Sequence, residues 1–159
     1  MHRTLATLAC VAAAAMSVPA FADTSDFLTK AIKGDNSESR LGALAARMGH
    51  SAEVREFGAM LVRDHDKARR QAVPVAERRR VPVPTAVAQE ARAEYVKLQG
   101  MRGAAFDREF GRYMVEDHRK DIADFEKEAA SRDPADVRAL ARQTLPALRR
   151  HLAAARAIR

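Results

Sequence analysis

Phe57-Gly58-Ala59-Met60-Leu61-Val62-Arg63-Asp64-His65-Asp66-Lys67 recurs as Phe110-Gly111-Arg112-Tyr113-Met114-Val115-Glu116-Asp117-His118-Arg119-Lys120. Phe, Gly, Val, Asp, His and Lys fall at the same places in both copies. In each, apolar residues at helical spacing run directly into Asp-His. Two matched histidine-bearing helices predict a bundle with approximate internal symmetry and a polar site inside it.

Outward from these copies, the rest of the chain also reads as helix. A first helix is expected from about Ser25 to Met48, with Ser25 as N-cap and Gly49 at its C-terminal end. Its stripe is Phe27, Ala31, Gly34, Glu38, Leu41, Ala45 and Met48. Gly34-Asp35-Asn36-Ser37 is poor helix material and is expected to bend it. The second helix starts near Ser51, with Val54, Gly58, Leu61, His65, Ala68 and Ala72 on one face. Pro74 is expected to limit it. A basic, proline-punctuated connection from Arg78 to Thr85 leads to a short helix, Ala86 to about Leu98. The third long helix spans about Ala104 to Ala130 on a Phe110, Met114, His118, Ile122 and Phe125 stripe. The fourth opens at Asp133-Pro134, with Asp133 as N-cap, and carries Val137, Ala141, Thr144, Leu148, His151 and Ala155. Pro146 is expected to kink it. No alternating strand pattern competes. The expected fold is therefore all-α: an antiparallel four-helix bundle with a short extra helix in the central connection.

Residues 1–22 read as a signal peptide. Arg3 precedes an apolar run from Leu5 to Val18, and Ala20-Phe21-Ala22 is a small-x-small cleavage site before Asp23. The run is too short for a comfortable membrane span. Cys10 has almost no apolar stretch ahead of it, which argues against a lipoprotein. The mature domain, residues 23–159, is expected to be periplasmic or secreted. It carries no cysteine, so neither disulfide nor thiolate chemistry is open to it. The formal charge of +7 is spread over several helices with acids interleaved. That pattern reads as a solvated mixed-charge surface, compatible with peripheral contact to the anionic envelope. There is no aromatic stacking motif of the RNA-binding kind, which argues against a nucleic-acid partner.

Chemistry rests on four polar residues on otherwise apolar stripes, one per long helix: Glu38, His65, His118 and His151. A buried ionisable group is costly unless paired or metal-bound. Three imidazoles and a carboxylate suit Zn²⁺, Fe²⁺ or Cu²⁺, with Asp64 and Asp117 as carboxylates that orient the histidines or add ligands. The alternative is a structural polar cluster, the commoner fate of a histidine at the edge of a stripe. His50, at a helix junction, is expected to face solvent. No Glu has a His three residues later, so the di-iron signature of ferroxidases is missing. No catalytic motif appears.

Several motifs together resemble a known group. They are Phe27-Leu28, Phe57-Gly58 with Asp64-His65-x-Lys67, and Phe106-Asp107 with Asp117-His118-x-Lys120. Phe125-Glu126 and Thr144-Leu145-Pro146-x-Leu148-x-x-His151-Leu152 complete the set. They are similar to the exported bacterial ferritin-like proteins grouped as domain-of-unknown-function family 4142. The resemblance implies a ferritin-like bundle behind a signal peptide, and no established activity. One departure is Arg40 where the family often carries a second acid near Glu38, which counts against a metal in this member. Two functions stay open: a non-enzymatic envelope or stress protein acting by binding, and a metal-binding or redox protein using the Glu/His set.

Overall fold

The structure, a computed structural model, describes residues 20–158, with side chains from Thr24 onward. Residues 1–19 of the expected leader, Cys10 among them, lie outside the described residues. Five helices follow in order: α1 Ala20–Met48, α2 Ala52–Arg78, α3 Gln89–Gln99, α4 Gly103–Ala129 and α5 Ala135–Ala157. There is no strand among the described residues. The fold is a helical bundle of four long helices, with the short α3 in the central connection as expected.

Several boundaries differ from the sequence-based expectation, each for a local reason. Helix α1 already runs from Ala20, so Ser25 is not its cap. It also continues through Gly34-Asp35-Asn36-Ser37, because these polar side chains have tertiary partners. The Asn36 amide donates to the Pro84 and Ala86 carbonyls at 3.1 and 3.2 Å. The Ser37 hydroxyl donates to the Lys33 carbonyl at 2.6 Å and accepts from the Ala88 N–H at 2.9 Å. They fasten the α2–α3 connection onto α1. Ser51 caps α2 as expected, its hydroxyl accepting from the Val54 N–H at 3.3 Å.

Pro74 does not end α2, which continues to Arg78. The stop comes at Arg80, whose φ of 58° is left-handed. There the Arg80 N–H reaches the Glu77 carbonyl and the Val81 N–H reaches the Ala76 carbonyl, the paired bonds of a Schellman ending. Asp133 does not cap α5. Its Oδ2 accepts instead from the Thr24 hydroxyl at 2.7 Å, tying the start of α1 to the α4–α5 link. At the opposite end, Asp107 accepts from the backbone N–H groups of His50 and Ser51, both at 2.8 Å, and so anchors the α1–α2 link to α4.

Helix α1 packs along α2 and also meets α4; α5 packs along α4 and also meets α2. The two repeated segments therefore occupy diagonal helices and meet through side chains across the core. Phe57 and Phe110 are edge-to-face at 5.8 Å between centroids, and His65 and His118 likewise at 5.9 Å. The apolar interior is in two parts. One holds Phe27, Leu28, Ile32, Val75, Phe125 and Leu148. The other holds Leu44, Phe57, Leu61, Phe106, Phe110 and Met114. Along every long helix, the polar stripe residue falls between the two parts. A polar layer thus crosses the bundle at mid-depth.

Candidate metal centre

That layer contains all four polar stripe residues expected from the sequence. Glu38 on α1, His65 on α2, His118 on α4 and His151 on α5 are 1%, 2%, 0% and 1% exposed. The ring centroids of the histidines lie 5.0 Å (His65–His151), 5.2 Å (His118–His151) and 5.9 Å (His65–His118) apart. One nitrogen from each lies within 4.8 Å of the others. Glu38 Oε1 stands 3.2 Å from His118 Nε2.

The hydrogen-bond partners assign the ring protons. His118 Nδ1 must donate, because it faces the Met114 carbonyl at 2.9 Å. His65 Nδ1 faces two carboxylates, Asp35 at 3.0 Å and Glu38 Oε2 at 3.2 Å. His151 Nε2 donates to Asp64 Oδ2 at 2.9 Å. Each imidazole therefore has an oxygen partner at one nitrogen, which for His65 includes Glu38 of the layer itself, leaving the other nitrogen without a hydrogen bond. Those nitrogens are His65 Nε2, His118 Nε2 and His151 Nδ1, and all three are buried without a hydrogen-bond partner, as is Glu38 Oε1. The short His118–Glu38 approach is a charge-range contact without hydrogen-bond angles, so it satisfies neither atom.

Four orphaned acceptors on four helices form a costly interior unless something electron-poor lies between them. A tetrahedral Zn²⁺-type ion separates its nitrogen and oxygen ligands by about 3.3 Å, close to the His118–Glu38 distance. The donor set, three neutral nitrogens and one oxygen, is chemically suited to such an ion. Each histidine also carries the outer hydrogen bond that fixes ring orientation in metal sites.

The electrostatics keep the imidazoles neutral. Burial lowers His65 to about 4. Burial, then the nearby His65, lowers His151 to about 4. Burial and the neighbouring histidines push His118 well below its usual value. Burial raises Asp35 and Glu38 well above the carboxylate range, and the acids nearby raise Glu38 further. Asp64 differs: burial opposes its charge, but the His151 hydrogen bond and Arg150 outweigh burial and lower it. An ionised Asp64 is the natural acceptor for His151.

Asp64 thus sits where a histidine-orienting carboxylate should. Asp117 does not touch a histidine by a hydrogen bond; it gathers with Glu38 and Asp121, one oxygen from each lying within 4.8 Å of the others. His50 is exposed as expected. Arg40 is also exposed, with its guanidinium 4.7 Å over the Tyr95 ring on α3, so it points away from the layer and does not bear on the donor set. Two members went unread in the sequence: Asp35, which holds His65, and Asp121. The signal for both was helical spacing, since Asp35 lies three residues before Glu38 and Asp121 three after His118.

A solved structure, the crystal structure of a DUF305 fragment from Deinococcus radiodurans, is similar in fold. Its TM-score is 0.74 at 20% sequence identity, over 87% of this chain and 95% of that one. Among curated proteins there is no match. The family model described as "Domain of unknown function (DUF4142)" matches residues 9–158. That span takes in both repeated segments and all four helices of the polar layer, and the chain belongs to this family.

Proposed function

We propose that this protein binds a divalent transition metal, held by His65, His118, His151 and Glu38, in an antiparallel ferritin-like bundle exported to the periplasm. The observation that carries it is a set of four buried, unpartnered side-chain atoms from four helices, with one nitrogen of each histidine within 4.8 Å of the others and Glu38 Oε1 3.2 Å from His118 Nε2. A purely structural cluster would be expected to turn some of these atoms toward donors, whereas here the partnered nitrogens Nδ1 of His118 and Nε2 of His151 face outward, to the Met114 carbonyl and to Asp64. Four protein ligands complete a tetrahedron, the arrangement of a binding centre rather than one with an open catalytic position. The leader over 1–22 supports export, and the acids interleaved among the basic residues support a binding role at the envelope without nucleic acid.

Zn²⁺ added to the purified protein tests this. At about 100 times the dissociation constant, a ligand specific to the folded state adds about 2.7 kcal/mol. The melting temperature should rise accordingly, and elemental analysis after desalting should find the ion retained. A His118→Ala/His151→Ala double variant should keep its helix content and lose the response. No retained metal and no thermal shift in the unaltered protein would refute the proposal.

A further inference from the structure

Glu38, His65, His118 and His151 are at most 2% exposed, so an ion held by them has to pass through the bundle to arrive. One side of the bundle leaves room. Helix α1 packs along α2, and α4 along α5, but α1 and α4 meet at few places. A cavity of about 490 Å³ lies in the gap between them. It reaches Glu38 and His65, two residues of the polar layer. Its rim includes Asp26 and Lys30, whose side chains are 63% and 65% exposed and pair with each other at 2.7 Å. The cavity therefore runs from solvent to the layer.

Carboxylates line this passage at graded depth. Asp121 and Asp124 line it from α4, three residues apart and so on one helix face. Asp124 is exposed, Asp121 half-buried and Glu38 buried. One oxygen of Asp121 lies within 4.8 Å of one of Glu38, so the series ends at the layer. The lysines nearby are engaged elsewhere, Lys30 with Asp26 and Lys120 with Glu116 at 3.2 Å. Gly34 on α1 lines the same cavity, and a Cβ there would meet nothing within 4 Å. The absence of a side chain at Gly34 keeps the passage wide.

We propose that the cavity between α1 and α4 is the route by which the divalent ion reaches the layer, with Asp124 and then Asp121 guiding it from the rim to Glu38. This rests on the layer being a metal site. A cleft lined by one sign of charge, with low-dielectric walls, concentrates ions of the opposite sign and raises their rate of entry. The walls here are Phe27, Phe125 and Leu148, and the charges between them are the carboxylates. Asp124 belongs to the path and not to the ligand set, so it governs how fast the ion arrives rather than how firmly it is kept.

The experiment follows Zn²⁺ uptake by the purified protein in a stopped-flow instrument with a zinc-sensitive dye, release by capture in excess chelator, and affinity by equilibrium titration. Gly34→Leu, which adds bulk to the passage, should slow uptake and release by the same factor, roughly tenfold, and leave the affinity unchanged. Asp124→Asn should slow uptake several-fold at low salt. That difference should vanish near 1 M salt, where the Debye length falls to about 3 Å. Circular dichroism confirms the fold of each variant scored. Uptake at the unaltered rate in both variants overturns the route and leaves the metal site standing. A Gly34→Leu protein that loses affinity without slower uptake also overturns it, since the substitution would act on the site and not on the path. Slowing by Gly34→Leu alone overturns the guiding role of Asp124. No Zn²⁺ bound by the unaltered protein removes route and site together.

Discussion

A backbone oxygen stands where a side chain at Gly58 would begin. A Cβ there would lie 2.5 Å from the Gly42 carbonyl oxygen and 2.6 Å from the Ala46 nitrogen. Both obstacles are main chain, so α1 and α2 would have to separate. Gly58→Ala is expected to destabilise the fold by about 1–3 kcal/mol, the usual range for overpacking, measured by denaturant unfolding. Gly34 makes the opposite case. It lies inside α1, and a Cβ added to it would meet nothing within 4 Å, so Gly34→Ala should stabilise by about 1 kcal/mol through helix propensity. Reversal of these signs would mean that α1 and α2 do not approach as closely as Gly42 and Gly58 imply. Both glycines were visible in the sequence as members of stripes. Their opposite roles were not, because a stripe shows which way a residue faces and not how near the facing backbone comes.

At the scale of the elements, how α2 ends is decided by one residue in an uncommon conformation. Arg80 adopts φ 58°, which costs an L-residue about 1–2 kcal/mol that it does not cost glycine. Arg80→Gly should therefore raise stability by about 0.5–1 kcal/mol after the extra freedom of glycine in the unfolded chain is subtracted. An unchanged or lower denaturation midpoint would contradict the left-handed ending. Helix α3 is held to α4 by charge: Glu109 on α4 meets Lys97 on α3 and, within α4, Arg112 at 2.6 Å. The Arg112 hydrogen bond, with that of Lys97, lowers Glu109 from 4.5 to about 2 against a smaller effect of burial. Its folded value is the depressed one, so its contribution is complete above pH 4.5 and is lost as pH falls toward 2. Glu109→Gln should flatten the stability profile in that window and leave its slope above about pH 5 unchanged; an unaltered acid limb would show the pairing to be energetically idle. Pro74, expected to limit α2, is passed by the helix at an exposed position. A missing N–H costs least where water can serve the freed carbonyl.

For the whole molecule, the leader expected from the sequence and the bundle make separable predictions. Exported protein should begin at Asp23 by N-terminal sequencing; a chain retaining Met1, or carrying lipid on Cys10, would contradict the cleavage expected after Ala22. No described helix is long and apolar enough to cross a membrane. The helical class, the four long segments, the short helix between the second and third, and one inward stripe on each long helix were legible in the chain, although buried Leu28, Ile32, Leu44 and Leu140 lie beside the stripes that were read. Apolar spacing near 3.6 residues follows from local backbone geometry, which the sequence carries directly. Glu38, His65, His118 and His151 were legible as candidates for the same reason, each being polar on an apolar stripe. Their meeting was not. Whether four stripe residues share one depth depends on how far each helix slides along its neighbours, set here by the Gly42–Gly58 approach and by the links that Asp107 and Asp133 anchor. The tertiary structure also decided what turns toward the layer from outside it: Asp35 beneath His65, Asp64 beneath His151, Asp117 and Asp121 beside Glu38. The sequence by itself determined which faces are buried, because periodicity is a property of one helix; only the packed molecule decided which buried polar atoms face each other, because that is a property of four.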